Sequence, residues 1–201
     1  MRILITIFLI GFSKVAFGQY FDKIYGFSLD VTTPLSNTEY VDNISARGFR
    51  FMYREMISEK FFGGLDLTNS TLTEYKPRQT YTNGSGAITT DLYNYTYNYG
   101  ATLTFDYFLN TEKKLMPYAG LGVGASFLRF HQYYNVYTSQ ADSWGVLIRP
   151  QVGIFYRLRE NSSWAFQAAL HYDYSSAKSE ELDLGALSVI GMQVGFVILD
   201  W

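Results

Sequence analysis

The longest regular pattern of apolar and polar positions in the chain lies between Leu92 and Phe108. Small or polar side chains, Asp106 among them, occupy every second position of this stretch, and Lys and Glu do not occur there. A period of two sustained over this length indicates a β-strand with two chemically different faces. We infer that one face contacts lipid and the other faces a packed interior. The predicted lipid-facing side chains are Tyr93, Tyr95, Tyr97, Tyr99, Leu103, Phe105 and Tyr107.

The same alternation recurs along the rest of the chain and predicts seven further strands. Long connections alternate with short turns, which in an antiparallel sheet places all the long loops at one end. The pattern therefore predicts an all-β fold, a closed antiparallel up-and-down transmembrane β-barrel of about eight strands. The further strands are Tyr25–Thr32, Gly48–Glu55, Phe61–Ser70, Tyr118–Phe130, Trp144–Leu158, Trp164–Tyr174 and Ala186–Trp201, and the long loops are Thr33–Ala46, Thr71–Asp91, His131–Ser143 and Ser175–Gly185.

The N-terminal segment differs in character from the strands. A basic start at Met1-Arg2 precedes the apolar run Ile3–Phe12, and small residues follow in Ala16-Phe17-Gly18. This order is typical of a secretory signal peptide, and the run is too short to cross a bilayer as a helix. We therefore predict a signal peptide over residues 1–18 and one barrel domain over residues 19–201.

The composition of the 201-residue chain limits the kinds of site that it can contain. It contains no Cys, which excludes disulfides, thiolate metal sites and cysteine catalysis. Charged residues make up 17%, below the roughly 25% of soluble domains, and the net charge of −2 gives no basic footprint for nucleic acid. No metal-ligand spacing or phosphate-binding loop occurs, so the sequence predicts neither a metal nor a cofactor.

A set of polar side chains falls on the inner face of the predicted barrel. Because buried charges need partners, we expect Arg50 to lie between Asp30 and Asp66, and Arg149 to pair with Asp173. These contacts predict a lumen filled by ion pairs, and the alternative is a narrow conduction path between them. The predicted inner set comprises Asp30, Arg50, Arg54, Asp66, Asp106, Arg149, Arg157, His171 and Asp173.

A soluble, lipocalin-like barrel is the main structural alternative, because it would have the apolar stripe inside and the polar stripe in water. A solvated face normally collects Lys and Glu, and the polar stripes here carry few of either. Gly120, Gly122 and Gly124 alternate on one face of a strand, which favours a cramped interior. The membrane barrel is therefore the preferred interpretation. Within it, Pro150 predicts a bulge or a missing ladder bond.

Two segments resemble strands of the small OmpA/OmpX/OmpW-type outer-membrane barrels. Residues 117–124, PYAGLGVG, match the PYxGxGxG strand of these proteins, and Pro150-Gln151-Val152-Gly153 with Tyr156 is similar. The chain looks most similar to the barrel-domain proteins of Bacteroidetes-type bacteria. The resemblance implies an outer-membrane location, contact with lipid and lipopolysaccharide, and folding by the barrel-assembly machinery. Trp201 would then be the assembly signal, although the strand alternation leaves its orientation open.

Three functions fit this architecture. The first is a non-enzymatic scaffold that displays four long extracellular loops for a structural or surface-interaction role. The second is a narrow pore or hydrophobic-solute conduit of the OmpW type. The third is a lipid A-modifying enzyme, since the segment at His171 loosely resembles the His-x-Ser neighbourhood of lipid A deacylases. Asp173 stands in place of that serine and His171 falls on the inner face, so we expect no enzyme. The ligand of the loops is left open by the sequence.

Overall fold

The computed structural model describes residues 21–83, 86–134, 137–159 and 162–201, so the predicted signal peptide lies outside the described residues. Eight antiparallel strands form a closed barrel in which each strand pairs with its sequence neighbours and the last pairs with the first. The predicted fold class is confirmed. The strands are β1 Lys23–Pro34, β2 Ser45–Ser58, β3 Phe61–Asn83, β4 Gly86–Phe108, β5 Leu115–Tyr134, β6 Tyr137–Arg157, β7 Trp164–Ser175 and β8 Leu187–Asp200.

The described ranges include no helix that is both long and apolar enough to cross a membrane.

Strand alternation sorts the side chains of the barrel into an outer and an inner set. On β4, Leu103 and Phe105 are 63% and 61% exposed, whereas Thr102 and Thr104 between them are buried. The other strands follow the same rule, so large apolar side chains cover the outside. This orientation is that of a lipid-facing barrel and is the reverse of the soluble alternative.

Two of the four predicted loops are instead continuations of strands. β3 runs to Asn83 and β4 starts at Gly86, while β5 runs to Tyr134 and β6 starts at Tyr137. The predicted loops 71–91 and 131–143 are therefore wrong. Thr or Tyr is frequent in each segment, and such β-branched and aromatic residues favour strands once a paired neighbour is present. Among the described residues, the connections 35–44 and 176–186 are the loops at this end.

The barrel is much taller on one side than on the other. β3 and β4 have 23 residues each, and β1 and β7 have 12 each. A strand crosses a membrane in about 9–11 residues, so the β3–β4 and β5–β6 hairpins extend beyond the bilayer. The connections at residues 59–60, 109–114, 158–159 and 162–163 all lie at the opposite end.

The ladder is interrupted at Pro150, as the sequence predicts. Pairing with β5 continues through Leu121↔Pro150. On the other edge, β6 pairs with β7 at Ile148 and again at Gln151, with no pair recorded between them. The register is the same on both sides of this gap, so Pro150 removes a bond without a bulge.

The interior is built in three layers along the barrel axis. An apolar cluster that includes Phe62, Phe108 and Phe155 fills the end with the short turns. A second apolar cluster, with Tyr40, Leu128 and Phe130, fills the opposite end. The polar layer lies between the two clusters, since on β4 Thr102 and Asp106 lie between Phe108 and the level of Leu128, which pairs with Asn98.

The lipid-facing surface predicts that a charged side chain lowers the unfolding free energy more when it lies deeper in the membrane. Leu103→Arg places a guanidinium near the middle of the apolar band, and we expect about 2–4 kcal/mol lower unfolding free energy. The matched control Leu109→Arg lies in a turn, where the cost is about 0–1 kcal/mol. Urea titration of the folded protein in lipid vesicles measures both values. Equal values for the two variants would contradict the assigned lipid face.

Candidate functional site

The middle layer of the barrel is a network of buried ion pairs, called here the lumen network. Arg54 contacts Asp66 with its Nη1 atom at 2.7 Å from Oδ1, and contacts Asp106 with Nε at 2.5 Å from Oδ2. Asp66 also accepts hydrogen bonds from Arg50 and from the hydroxyl of Thr104. These side chains are at most 1% exposed, so the Arg54 guanidinium and two carboxylates form one desolvated unit.

Arg50 does not lie between Asp30 and Asp66, so that prediction is wrong. Its Nη1 donates to the side-chain oxygens of Gln151 at 2.8 Å and Gln193 at 2.9 Å, while its other contact is to Asp66. The two glutamines come from β6 and β8, on other walls of the barrel. The predicted inner set does not include these glutamines. Both occupy inner positions of predicted strands, and that alternation is the sequence signal that could have identified them.

A second part of the lumen network lies on β6 and β7. Arg149 forms two hydrogen bonds to the carboxylate of Asp173, one of them 2.5 Å from Nε to Oδ1. His171 lies between two carboxylates, with Nε2 at 2.8 Å from Asp30 and Nδ1 at 3.2 Å from Asp173. Across the described lumen network, four Asp residues face three Arg residues, and His171 lies beside two of these carboxylates.

Arg157 and Trp201 lie together at the rim with the short turns. Arg157 donates to the backbone oxygen of Thr111 at 2.7 Å, and its guanidinium lies 5.0 Å from the ring of Phe21 and 5.3 Å from that of Trp201. On β8, Leu199 is fully buried, so the strand alternation continues without a bulge and Trp201 lies past the strand end, 47% exposed. Its role as an assembly signal stays a prediction.

The predicted lipid-facing residues of β4 all point outward, but they lie at different heights. Tyr99 and Tyr107 are eight residues apart, or about 20 Å along the membrane normal for a tilted strand. They bracket Leu103 and Phe105, as two aromatic girdles bracket an apolar band of about 25 Å. The predicted lipid contacts Tyr93, Tyr95 and Tyr97 lie beyond this band, on the extended part of the strand.

The mouth above the second apolar cluster is closed by the loops 35–44 and 176–186. Tyr40 packs on the ring of Phe130 and donates its hydroxyl to the backbone oxygen of His131 at 2.9 Å. Asn94 donates to the backbone oxygen of Tyr40 at 2.8 Å, which fixes the loop in place. Burial raises the pKa of Tyr40, so its hydroxyl remains a donor. Above it lies an open cavity of about 610 Å³, between the hairpins and these loops.

No cluster of three or more His, Asp or Glu residues with a metal-binding arrangement occurs in the described part of the chain.

The fold has counterparts among solved structures, whereas no protein-family model and no curated protein sequence matches the chain. Neisserial surface protein A aligns with a TM-score of 0.51 at 13% identity, covering 88% of this chain and 96% of that one. The outer membrane protease OmpT of Escherichia coli aligns with a TM-score of 0.50 at 6% identity, covering 92% and 99%. The attachment invasion locus protein Ail of Yersinia pestis aligns at 0.49 with 12% identity, covering 88% and 95%.

Structural alignments at identities this low establish the fold of the chain and leave its activity open. The exposed apolar band of the barrel and this fold both support the predicted location in the outer membrane. The chain therefore has the fold of the small outer-membrane β-barrel proteins.

Proposed function

We propose that the protein is a closed, non-conducting barrel of the outer membrane that presents its two long hairpins at the cell surface. Its role is structural or one of surface interaction. The observation that carries this proposal is the three-layered filling of the lumen. The barrel-assembly machinery is the expected folding partner, and outer-leaflet lipid and lipopolysaccharide are the expected surroundings.

The three layers block the lumen in series. At the short-turn end, the ring of Phe108 lies 5.1 Å from that of Phe62 and 5.3 Å from that of Phe155. The lumen network fills the middle, and the cluster around Phe130 fills the outer end. An ion or solute would have to displace all three layers, which argues against the narrow-pore alternative.

The close packing of backbone inside the barrel also argues against a channel. A Cβ atom at Gly120 would overlap the carboxylate of Asp106, and one at Gly124 would overlap the backbone oxygen of Ala101. Eight strands enclose a lumen only just wide enough for side chains. Gly120 is therefore needed to admit the lumen network, and Gly124 is needed for the close approach of the β4 backbone, rather than to leave space for water.

The proposal of a non-enzymatic role rests on the surroundings of His171. Its side chain is buried inside the barrel, and both ring nitrogens are engaged by carboxylates. Chemistry on lipid A needs a group that reaches the bilayer, and the position expected for a nucleophilic serine holds Asp173, which pairs with Arg149. One structure with this fold is a protease, so the fold itself does not decide the question.

Surface display is testable by cysteine labelling, because the chain contains no natural Cys. We expect Thr138→Cys, on the β5–β6 hairpin, to react with a membrane-impermeant maleimide on intact cells. Lys113→Cys, in a short turn, should react only after the outer membrane is permeabilised. The two positions are both exposed in the fold, which makes them a matched pair. Reversed labelling would refute the proposed orientation.

Planar-bilayer recordings test the closed lumen. We expect no discrete openings from the purified protein in conditions where a general porin conducts. Phe155→Ala opens only the layer at the short-turn end, so this variant should also be silent. Its folding is checked by the mobility difference between boiled and unboiled samples. Discrete openings from the unaltered protein, reduced by Gly122→Leu, would favour the pore instead.

The lumen network predicts a large cost for removing one carboxylate. Asp66→Asn leaves Arg50 and Arg54 short of a buried counter-charge, and we expect about 3–5 kcal/mol lower unfolding free energy. Asp142→Asn is the control, since that carboxylate forms an exposed ion pair and its loss should change stability little. Urea unfolding in vesicles gives both values. A negligible effect of Asp66→Asn would show that the lumen network does not hold the interior together.

A further inference from the structure

The outer face of β3–β6 changes composition at one row of residues. The strand registers place Asn69, Tyr99, Phe127 and Trp144 side by side. Trp144 is 73% exposed and its ring lies 4.8 Å from that of Phe127. Exposed Trp and Tyr are typical of the membrane–water interface, so Tyr99 on β4 and Trp144 on β6 mark the outer edge of the apolar band.

The next three rows lie beyond this edge. Their composition differs both from that of the aliphatic lipid-facing band and from that of an ordinary solvated face. They combine tyrosines with hydroxyl, amide, imidazole and ion-pair groups. From the membrane outward, the rows are Thr71, Tyr97, Arg129 and Asp142, then Thr73, Tyr95, His131 and Gln140, then Tyr75, Tyr93, Tyr133 and Thr138. This face therefore offers flat apolar rings and hydrogen-bonding groups next to one another.

Four tyrosines of this face line an open cleft of about 470 Å³, called here the tyrosine cleft: Tyr93, Tyr95, Tyr97 and Tyr133. The rings of Tyr95 and Tyr97 are nearly parallel, with an interplanar angle of 9° and centroids 6.1 Å apart. Tyr133 stands perpendicular to Tyr95, with centroids 5.7 Å apart. The cleft thus has two parallel rings and one ring set across them.

Polar groups border the tyrosine cleft on the side toward β6. Arg129 donates from Nε and Nη2 to the two carboxylate oxygens of Asp142, at 2.9 and 3.0 Å. These hydrogen bonds lower the pKa of Asp142, so the carboxylate stays ionised at neutral pH. His131 Nδ1 lies 3.1 Å from the Tyr133 hydroxyl. Partial burial raises the pKa of Tyr97, which keeps its hydroxyl protonated.

This combination complements a sugar ring better than it complements a lipid tail or a polyanion. A pyranose has a C–H face that packs on an aromatic ring and hydroxyl edges that bond to amides and carboxylates. An acyl chain would leave the ion pair and the Gln140 amide without polar partners. A polyanion would need unpaired basic groups, whereas Arg129 is already paired with Asp142.

We propose that the tyrosine cleft binds an uncharged core sugar of an outer-leaflet lipopolysaccharide. The cleft lies beyond Tyr99 and Trp144, on the saccharide side of the apolar band. The assignment rests on the proposed outer-membrane placement. It gives the taller side of the barrel a specific glycolipid contact, which the shorter strands β7 and β8 do not offer.

The test compares two glycolipids on the refolded full-length barrel in detergent. One probe is lipopolysaccharide that ends after its complete core sugars, and the other is lipid A without core sugars. Native mass spectrometry measures the retention of each. We expect the sugar-bearing probe to be retained preferentially, and Tyr95→Ser with Tyr97→Ser to reduce its affinity about tenfold while leaving lipid A unchanged. Asp142→Asn should weaken the same preference.

The matched control is Tyr174→Ser, which removes an exposed tyrosine from the outer face of β7 and should keep the preference. Equal retention of both probes by the unaltered protein would overturn the proposal, as would a core oligosaccharide free in solution binding as tightly as the lipid-linked form. A dimer that dissociates in the Tyr95 and Tyr97 variant would assign the cleft to a second copy of the chain instead.

The boiled and unboiled mobility shift and the cysteine labelling report the barrel and its orientation separately, so either proposal can fail without the other.

Discussion

The ladder between β8 and β1 is the contact on which the rest of the structure depends. In hydrocarbon, each unpaired backbone group costs several kcal/mol, so a sheet survives there only when it has no edge. Pairing from Lys23↔Asp200 to Pro34↔Val189 removes both edges. Closure at eight strands also fixes the diameter, and the diameter decides what fits inside. Gly120 beside Asp106 shows this limit directly, because no Cβ atom can be accommodated there.

Within that fixed volume, the lumen network provides each buried charge with a partner. A buried guanidinium is tolerated only when carboxylates or other acceptors surround it. Arg54 contacts two carboxylates, Arg50 contacts one carboxylate and two glutamines, and His171 lies beside Asp30. Apolar clusters seal the two ends of this polar layer. The same arrangement that stabilises the interior supports the proposal of a closed lumen, which directs functional interest to the outside.

The outside is asymmetric because only four strands are long. The hairpins β3–β4 and β5–β6 rise past the membrane, while the loops 35–44 and 176–186 fold over the mouth from the shorter side. Tyr40 joins the two sides through its hydrogen bond to the backbone of His131. As a result, the barrel offers an exposed β-sheet face beyond the membrane on one side only. The tyrosine cleft lies on that face, immediately beyond the girdle formed by Tyr99 and Trp144.

The sequence by itself determined which residues point out of the barrel and which point into the lumen. Successive side chains of a strand point to opposite faces, so an apolar face fixes the position of the residues between its members. The alternation therefore places Leu103 and Asp106 on opposite faces, as in the structure. The tertiary structure alone decided which inner residues meet. Arg50 contacts Gln193 and His171 contacts Asp30 because closure, stagger and tilt set distances across the barrel, and local pattern carries no such information. It also decided that residues 71–91 and 131–143 are largely strand, since Thr and Tyr extend a hairpin only where a neighbouring strand pairs with them.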